Sequence, residues 1–245
     1  MSARRTGGTA ARVLTQLRRD PRTIALLLAV PCVLMLLLKY AFEGEPQVFD
    51  RIGGPLLGLF PFIAMFVVTS ITMLRERVSG TLERLMSMPI AKLDLLTGYG
   101  AAFASVAAVQ AAIVSAVALG GLGLDVEGSP WLVGALAVGN AVLGMALGLF
   151  VSAFARTEFQ AVQFMPALVF PQILLCGLFV AREDMARPLE VLSALLPLTY
   201  AYDAVAQVTN GDDLGAAFGR DVAVMVGATL ASLALGALTL RRRTP

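Results

Sequence analysis

Six long apolar stretches constrain the fold of this chain more than any other feature of its sequence. They cover Thr23–Leu38, Pro55–Leu74, Leu95–Leu122, Trp131–Ala155, Ala161–Val180 and Val222–Leu240. A helix needs about 20 apolar residues to cross a hydrocarbon core of about 30 Å, and five of the stretches approach that length. Formal charge is absent between residues 95 and 124, whereas a soluble helix of that length would need a polar face. We therefore predict an all-α integral membrane protein with six transmembrane helices.

The distribution of basic residues predicts the orientation of these spans. With both termini in the cytoplasm, 14 of the 19 basic residues lie in inside segments, and the outside loops keep only five. Those five are Lys39, Arg51, Arg182, Arg187 and Arg220. Because Lys and Arg near span ends favour the cytoplasmic side, the pattern predicts an N-in/C-in topology in the plasma (inner) membrane. Arg241–Arg243 then act as a stop signal, and no nucleic-acid partner is expected.

Several classes of active site are excluded by composition. The 245 residues contain no His, which removes Ser-His hydrolysis and HExxH zinc sites. Cys32 and Cys176 fall within apolar stretches and are interpreted as buried inert thiols. Neither Lys39 nor Lys92 follows a Gly, so no P-loop lysine is available for a nucleotide. We predict one membrane domain over 1–245, with no catalytic residue, no metal site and no cofactor of its own.

The predicted spans also lack the ionisable side chains that an ion-driven carrier uses for coupling. Such carriers normally keep ionisable groups near the membrane midplane, where a charge is costly and is retained for function. The predicted spans lack carboxylates near their centres. This absence argues against a secondary transporter, which stays open as the alternative.

The first 22 residues read as a cytoplasmic amphipathic segment. Apolar and polar side chains alternate at helical spacing in Ala10–Arg19. The segment can lie in the membrane interface against anionic headgroups, or it can be a frayed basic leader that serves only topology. Asp20-Pro21 predicts an N-cap and a helix-opening proline for the first span.

The second cytoplasmic segment, 75–94, predicts a short amphipathic helix. Ser79-Gly80 breaks the second span, and Ser79 or Thr81 can cap the helix that follows. An apolar stripe on this helix is opposed by polar side chains, and Pro89 marks the end of the helix. The stripe consists of Leu82, Leu85 and Met86, and Glu83 and Arg84 oppose it. On spacing alone, a plain interfacial connector explains this segment equally well.

Two motifs of the chain resemble those of the type-2 ABC exporter permeases. The first is R-E-R-x-x-G-T-L-E-R-L-M-x-x-P from Arg75 to Pro89, directly after the second span, and the second is Leu195–Tyr200 before the sixth. The family includes daunorubicin-type drug exporters and polysaccharide export permeases, and the resemblance covers nearly the whole chain. It implies that the loop helix is a coupling helix that docks on an ATPase subunit. The implied coupling residues are Glu76, Gly80, Thr81, Leu82, Glu83, Arg84, Leu85 and Pro89.

A stripe of small and polar residues runs along the fourth span. Asn140, Gly144, Gly148 and Ser152 recur every four residues on one helix face. Small residues let helices approach closely in lipid, so we predict a packing role, with Asn140 as an alternative cargo contact. In the fifth span, Pro166 and Pro171 each remove a backbone hydrogen bond and predict kinks.

The segment 181–221 is the longest predicted external connection. Its leucines fall on one helical face that Pro197 interrupts, and Tyr200 suits the headgroup level. Family members place short re-entrant or interfacial helices here, which implies an external seal at Leu196, Pro197 and Tyr200. A loose surface loop with incidental leucines is the alternative.

Together these features predict the membrane subunit of an ATP-driven exporter for a hydrophobic or amphipathic, drug-like or lipid-like cargo. Its expected partners are an ATP-binding cassette ATPase subunit, a second copy of itself or a related permease, and membrane lipid. ATP and magnesium would be bound by the partner ATPase. The alternative is a stand-alone six-span secondary transporter or another polytopic membrane protein.

Overall fold

A computed structural model of the protein describes residues 3–81, 84–85 and 92–239, and α-helices dominate these ranges. The helices are numbered here α1 (Ala3–Arg18), α2 (Pro21–Ala41), α3 (Pro46–Val78), α4 (Lys92–Ser115), α5 (Pro130–Val151), α6 (Glu158–Phe164), α7 (Phe170–Leu175), α8 (Arg187–Leu195), α9 (Pro197–Thr209) and α10 (Ala216–Thr239). A π-helical segment, Ala116–Gly121, continues α4, and a second, Met165–Val169, joins α6 to α7. The described ranges contain no β-strand. The all-helical prediction is confirmed for this part of the chain.

Five helical stretches are long and apolar enough to cross a membrane. They are Pro21–Ala41, Pro46–Val78, Thr97–Gly121, Pro130–Val151 and Ala216–Thr239. The pair α8 and α9 passes the same test only when taken together, and it is bent by 88°. The protein is therefore a multi-pass helical membrane protein with five or six candidate spans among the described residues.

The predicted fifth span, Ala161–Val180, is helical from Glu158 to Leu175, and its last five residues are not helical. The chain forms α6, the π-helical segment and α7, and regular helix ends at Leu175. Pro166 and Pro171 stand near the start of the π segment and of α7, where each removes a backbone donor from the helical ladder. The helix type changes next to both prolines for which kinks were predicted.

Helix ends follow local chemistry that the sequence shows. Asp20 caps α2, because its carboxylate accepts hydrogen bonds from the Thr23 amide at 3.2 Å and the Thr23 hydroxyl at 2.7 Å. Pro21 follows as the first helical residue. The C-terminal end of α3 is at Val78, and two residues later Gly80 takes a positive φ of 70°. The helix break predicted at Ser79-Gly80 is confirmed.

The core of the bundle is α3 packed along α5, with α10, α4 and α9 around them. Large side chains of α3, including Phe62 and Phe66, are fully buried against α5. The N-terminal helix α1 packs on α4, and Val13 and Leu17 are buried there. A frayed leader is therefore wrong for residues 3–18.

The two ends of the bundle separate the predicted inside and outside segments. At one end, the Asp125 amide donates to Asp50, and the Glu127 amide donates to the Thr209 carbonyl. At the opposite end, Arg75 pairs with Glu158. All segments predicted to be external thus meet at one end, and the described part of those predicted to be cytoplasmic meets at the other.

Candidate functional site

A buried ionic cluster joins three helices where α3 leaves the bundle. Glu76 is 3% exposed, and its carboxylate lies 3.3 Å from an Arg12 guanidinium nitrogen of α1. Tyr99 of α4 donates its hydroxyl hydrogen to Glu76 at 2.9 Å and accepts one from Arg12. The guanidinium carbon of Arg12 lies 5.5 Å from the centre of the Tyr99 ring, within cation–π range. We call Arg12, Glu76 and Tyr99 the α1–α3–α4 cluster.

The cluster changes the interpretation of Glu76. The sequence prediction placed Glu76 at the ATPase contact, but a side chain that is this buried cannot reach a partner's surface. Its two partners come from residues 64 and 23 positions away in sequence, so no local spacing signals the arrangement. An Arg on an amphipathic first helix is the one sequence signal that could have suggested such a pair. Glu76 therefore presents its carboxylate to Arg12 and Tyr99 inside the bundle rather than to the protein surface.

The chain turns sharply into the loop immediately after this cluster. The Gly80 amide donates to the Arg77 carbonyl at 3.2 Å, and the Arg84 amide donates to the Gly80 carbonyl at 3.0 Å. The positive φ of Gly80 is a conformation that residues with a Cβ rarely adopt. The Ser79 and Thr81 hydroxyls lie 2.9 Å apart at the turn. Gly80 and Thr81 therefore stand at the point where the loop leaves α3.

The described loop residues show one apolar and one polar side. Leu85 packs against the core that includes Val13, Leu95 and Tyr99, whereas Arg84 is exposed. This agrees with the two sides predicted from the spacing. Leu82, Glu83 and Pro89, which belong to the same predicted helix, lie outside the described residues.

A second ionic contact links α3 to the start of α6. Arg75 donates two hydrogen bonds to Glu158, at 2.7 and 3.0 Å, and both side chains are more than half exposed. The Arg75 hydrogen bond holds the pKa of Glu158 below its ordinary value. Exposed pairs contribute at most about 1 kcal/mol to stability, so this contact orients α6 more than it stabilises it.

The small-residue stripe of α5 faces α3. An added Cβ at Gly144 would lie 2.2 Å from the Phe62 carbonyl oxygen, and one at Gly148 would lie 2.5 Å from that of Phe66. The two helix backbones therefore touch at these glycines. Ser152 caps the end of α5, where its hydroxyl donates to the Leu149 carbonyl at 2.6 Å.

Asn140 continues the stripe toward the other end of the bundle. It is 2% exposed, and its amide nitrogen lies 3.4 Å from the Ala201 carbonyl of α9. An added Cβ at Gly58 of α3 would lie 2.2 Å from that nitrogen. Asn140 thus sits among α3, α5 and α9, and this burial does not support a direct cargo contact.

The predicted seal residues lie at the bend between α8 and α9. Leu196 separates the two helices in extended conformation, and Pro197 opens α9. The Tyr200 hydroxyl donates to the Ala194 carbonyl at 2.7 Å and so bridges the bend. The guanidinium carbons of Arg182 and Arg220 lie 6.0 and 5.9 Å from the Tyr200 ring centre. The loop before α8 and the start of α10 therefore both reach this bend.

A largely apolar cavity of about 600 Å³ opens between α1, α2 and α3. Its walls include Leu27, Pro31, Phe60 and Ile63, with Met165 of the π segment beside them. Polar groups are concentrated near one end of the cavity. They are Gln16, Asp20, Thr23, Thr72 and Arg75.

An all-helical bundle with five or six candidate spans among the described residues defines a multi-pass helical membrane protein. A family model described as "ABC-2 type transporter" matches residues 8–209. The chain belongs to this family, which confirms the resemblance inferred from the two motifs.

Two curated relatives show how far the similarity extends. "ABC transporter G family member 20" of Dictyostelium discoideum is 26% identical over 167 residues, which cover 67% of this chain and 23% of that protein. "Probable multidrug ABC transporter permease YbhR" of Escherichia coli K12 is 28% identical over 153 residues, which cover 62% of this chain and 42% of that one. The matched region therefore spans less than half the length of either relative.

Proposed function

We propose that this chain is the membrane permease subunit of an ATP-binding cassette exporter, powered by a separate ATPase subunit. Its cargo would be a hydrophobic or amphipathic molecule that leaves the cell. The observation that carries the proposal is the α1–α3–α4 cluster directly below the loop that begins at Gly80. A loop anchored in this way can transmit a push from a partner to three helices at once.

The partner ATPase would bind the polar side of the loop. Arg84 is exposed there, Leu85 anchors the loop on the bundle, and Gly80 and Thr81 fix its direction. Leu82, Glu83 and Pro89 are proposed to complete the contact because they match the family motif. ATP and magnesium would be bound by the ATPase, and its closure would bias the permease between inward-facing and outward-facing states.

The cavity between α1, α2 and α3 is the proposed cargo site. Ligand cavities commonly measure about 300–1,000 Å³ and combine apolar walls with a few polar groups, as this one does. Cargo with an apolar body and a polar end would fit this distribution. Leu26, which lines the cavity, and Leu37 are both exposed on α2, so this helix presents an apolar face to its surroundings. We propose that a second copy of the chain, or a related permease, closes the cavity and completes the pathway.

The α8–α9 pair is proposed to be re-entrant from the outside rather than a span. Arg182 pairs with Asp203 at 3.0 Å, so the chain entering α8 lies beside α9. The Tyr200 contact of Arg220 places the start of α10 there as well. Leu196, Pro197 and Tyr200 would then seal the external mouth of the pathway.

Reporter fusions test the orientation of the bundle. Fusions after Arg84 and Arg156 are expected to be cytoplasmic, and fusions after Glu45, Glu127 and Asp212 are expected to be external, because basic residues concentrate on one side. Cysteine labelling from each side of sealed vesicles gives the same information without a fusion partner. Exposure of Glu127 and Arg156 on the same side would overturn the N-in/C-in arrangement.

Paired substitutions at Gly80 test the permease function. Gly80→Val forces a β-branched residue into a left-handed conformation at a cost of about 1–3 kcal/mol, whereas Asn tolerates that conformation. The Val variant is expected to lose co-purification of a P-loop ATPase from native membranes and efflux of a lipophilic fluorescent dye. Gly80→Asn is the matched control and should retain both.

Three results would contradict the proposal or part of it. If the purified chain alone hydrolyses ATP, it is not a subunit that depends on a partner. If no ATPase accompanies the wild-type chain and a proton or sodium gradient drives dye efflux, the protein is a secondary transporter. Full activity of Gly80→Val would reduce the loop to a connector.

A further inference from the structure

A second groove lies on the opposite side of α3 from the proposed cargo cavity. It has a volume of about 440 Å³ and runs between α4 and α10, with α5 as its floor. Met145 and Leu149 form the floor, Gly100 and Ala104 line one wall, and Leu233 and Ala237 line the other. Both walls pack on α5, and their small side chains leave the space between them open.

One basic side chain, Arg77, stands at the end of this groove in the last turn of α3. Its Nε atom is buried and has no hydrogen-bond partner, and no ion pair joins Arg77 to any residue that the structure describes. The charged residues before it in α3 do have partners: Arg75 pairs with Glu158, and Glu76 pairs with Arg12. A half-buried cation without a counterion is costly, so Arg77 marks a place where an external anion would be stabilised.

The dimensions of the groove fit an acyl chain. Its walls extend from Thr97 to Ala104 on α4 and from Leu230 to Ala237 on α10, which is about 10 Å at 1.5 Å per residue. One leaflet of the hydrocarbon core is about 15 Å deep, so the groove covers most of that depth. A volume of about 440 Å³ over this length leaves a groove only about 7 Å across, whereas a helix with its side chains is about 10–12 Å wide.

We propose that this groove binds an anionic phospholipid of the leaflet at the α3 C-terminus. One acyl chain lies between α4 and α10, and the phosphate accepts hydrogen bonds from Arg77. The planar guanidinium is suited to such an anion because it presents several donors in a fixed fork. Its position in the last turn of a spanning helix places it at headgroup depth, where Arg is normally found in membrane proteins. The exposed leucines beside the groove, Leu230 and Leu238, are consistent with a surface that faces lipid.

Native mass spectrometry of the purified chain tests the site with two defined lipids. Wild type is expected to retain dioleoyl phosphatidylglycerol about tenfold more strongly than dioleoyl phosphatidylcholine, because both lipids carry a phosphate but the choline ammonium offsets the negative charge that Arg77 would meet. Arg77→Gln should remove this preference, and Arg77→Lys should keep part of it. Arg18→Gln is the control for the loss of one basic residue, because Arg18 is exposed and lies outside the groove.

A second pair of variants tests the chain-binding part of the groove. An added Cβ at Gly100 meets no atom within 4 Å, so Gly100→Leu should fill the groove without disturbing the backbone. This variant is expected to lose phosphatidylglycerol about as completely as Arg77→Gln does. Gly227→Leu is the matched control, since Gly227 has equal space on the same kind of helix but lies outside the groove. Circular dichroism and size-exclusion profiles identify any variant that fails to fold.

Three results would overturn the proposal. The first is an unchanged lipid preference in Arg77→Gln. The second is displacement of the lipid by glycerol phosphate without acyl chains, which would reduce the site to an anion contact. The third is a dimer of the wild-type chain that Gly100→Leu dissociates, because that would assign the groove to a second copy.

Discussion

Replacing Glu76 by Ala is expected to destabilise the protein by about 3 kcal/mol. The substitution leaves Arg12 and Tyr99 without their shared acceptor in a region where Glu76 itself is almost fully buried. Breaking a buried ion pair by removal of one partner costs about 3–5 kcal/mol, and the partial exposure of Arg12 places this case at the lower end. Unfolding of the purified chain in mixed detergent micelles measures the effect.

The exposed ion pair between Arg75 of α3 and Glu158 of α6 provides the control. Glu158→Ala removes the partner of Arg75, but both side chains are more than half exposed, so we expect a loss of at most about 1 kcal/mol. A double variant, Arg12→Ala with Glu76→Ala, should cost less than the two single variants added together, since residues in one network are coupled. Equal effects of Glu76→Ala and Glu158→Ala would show that the cluster does not hold the three helices together.

Replacing Gly144 by Ala is expected to cost about 2–3 kcal/mol, although it adds a single methyl group. That methyl would lie 2.2 Å from the Phe62 carbonyl oxygen and 2.9 Å from its carbon, so α3 and α5 must separate. These Phe62 atoms belong to the backbone, which cannot rotate away as a flexible side chain would. Overpacking of this kind typically costs about 1–3 kcal/mol. Thermal unfolding in detergent, followed by circular dichroism, is the measurement.

The same helix offers a matched position for comparison. An added Cβ at Gly134 meets only the Ser115 hydroxyl, at 3.8 Å, which is an ordinary contact. Gly134→Ala should therefore be neutral or stabilise by up to about 1 kcal/mol, as Gly→Ala does within helices. If both substitutions behave alike, the contact between the α3 and α5 backbones is looser than the structure indicates.

Much of the fold follows from apolar length and local helix signals. The first four spans and the last could be predicted because each is a long uncharged stretch, and Asp20-Pro21 and Ser79-Gly80 mark helix ends. In the fifth span, Pro166 and Pro171 indicated a disturbed helix, but hydropathy alone did not predict the π-helical turn or the helix end at Leu175. The alternation of helix type there depends on how neighbouring helices accommodate the missing hydrogen bonds.

The site could be predicted only in part, for a different reason. The i+4 spacing of Gly144 and Gly148 indicates a packing face before the partner helix is known. The burial of Glu76 has no such signal, because it depends on Arg12 and Tyr99, which are distant in sequence. A motif therefore identified the correct region, but it could not distinguish a residue that contacts a partner from one that holds the region in place.

The close packing of α3 has a mechanical consequence. This helix contains 33 residues, so it is about 50 Å long and reaches from the Gly80 turn to the opposite end of the bundle. At that far end, Gly54 abuts Thr209 and Gly58 abuts Asn140, both without space for one added carbon. We expect a helix held in this way to tilt about its closest contacts, which are those with Gly144 and Gly148. We expect a small tilt of α3 at the loop to displace α9 as well, because this one helix contacts both regions rather than acting through a series of separate rearrangements.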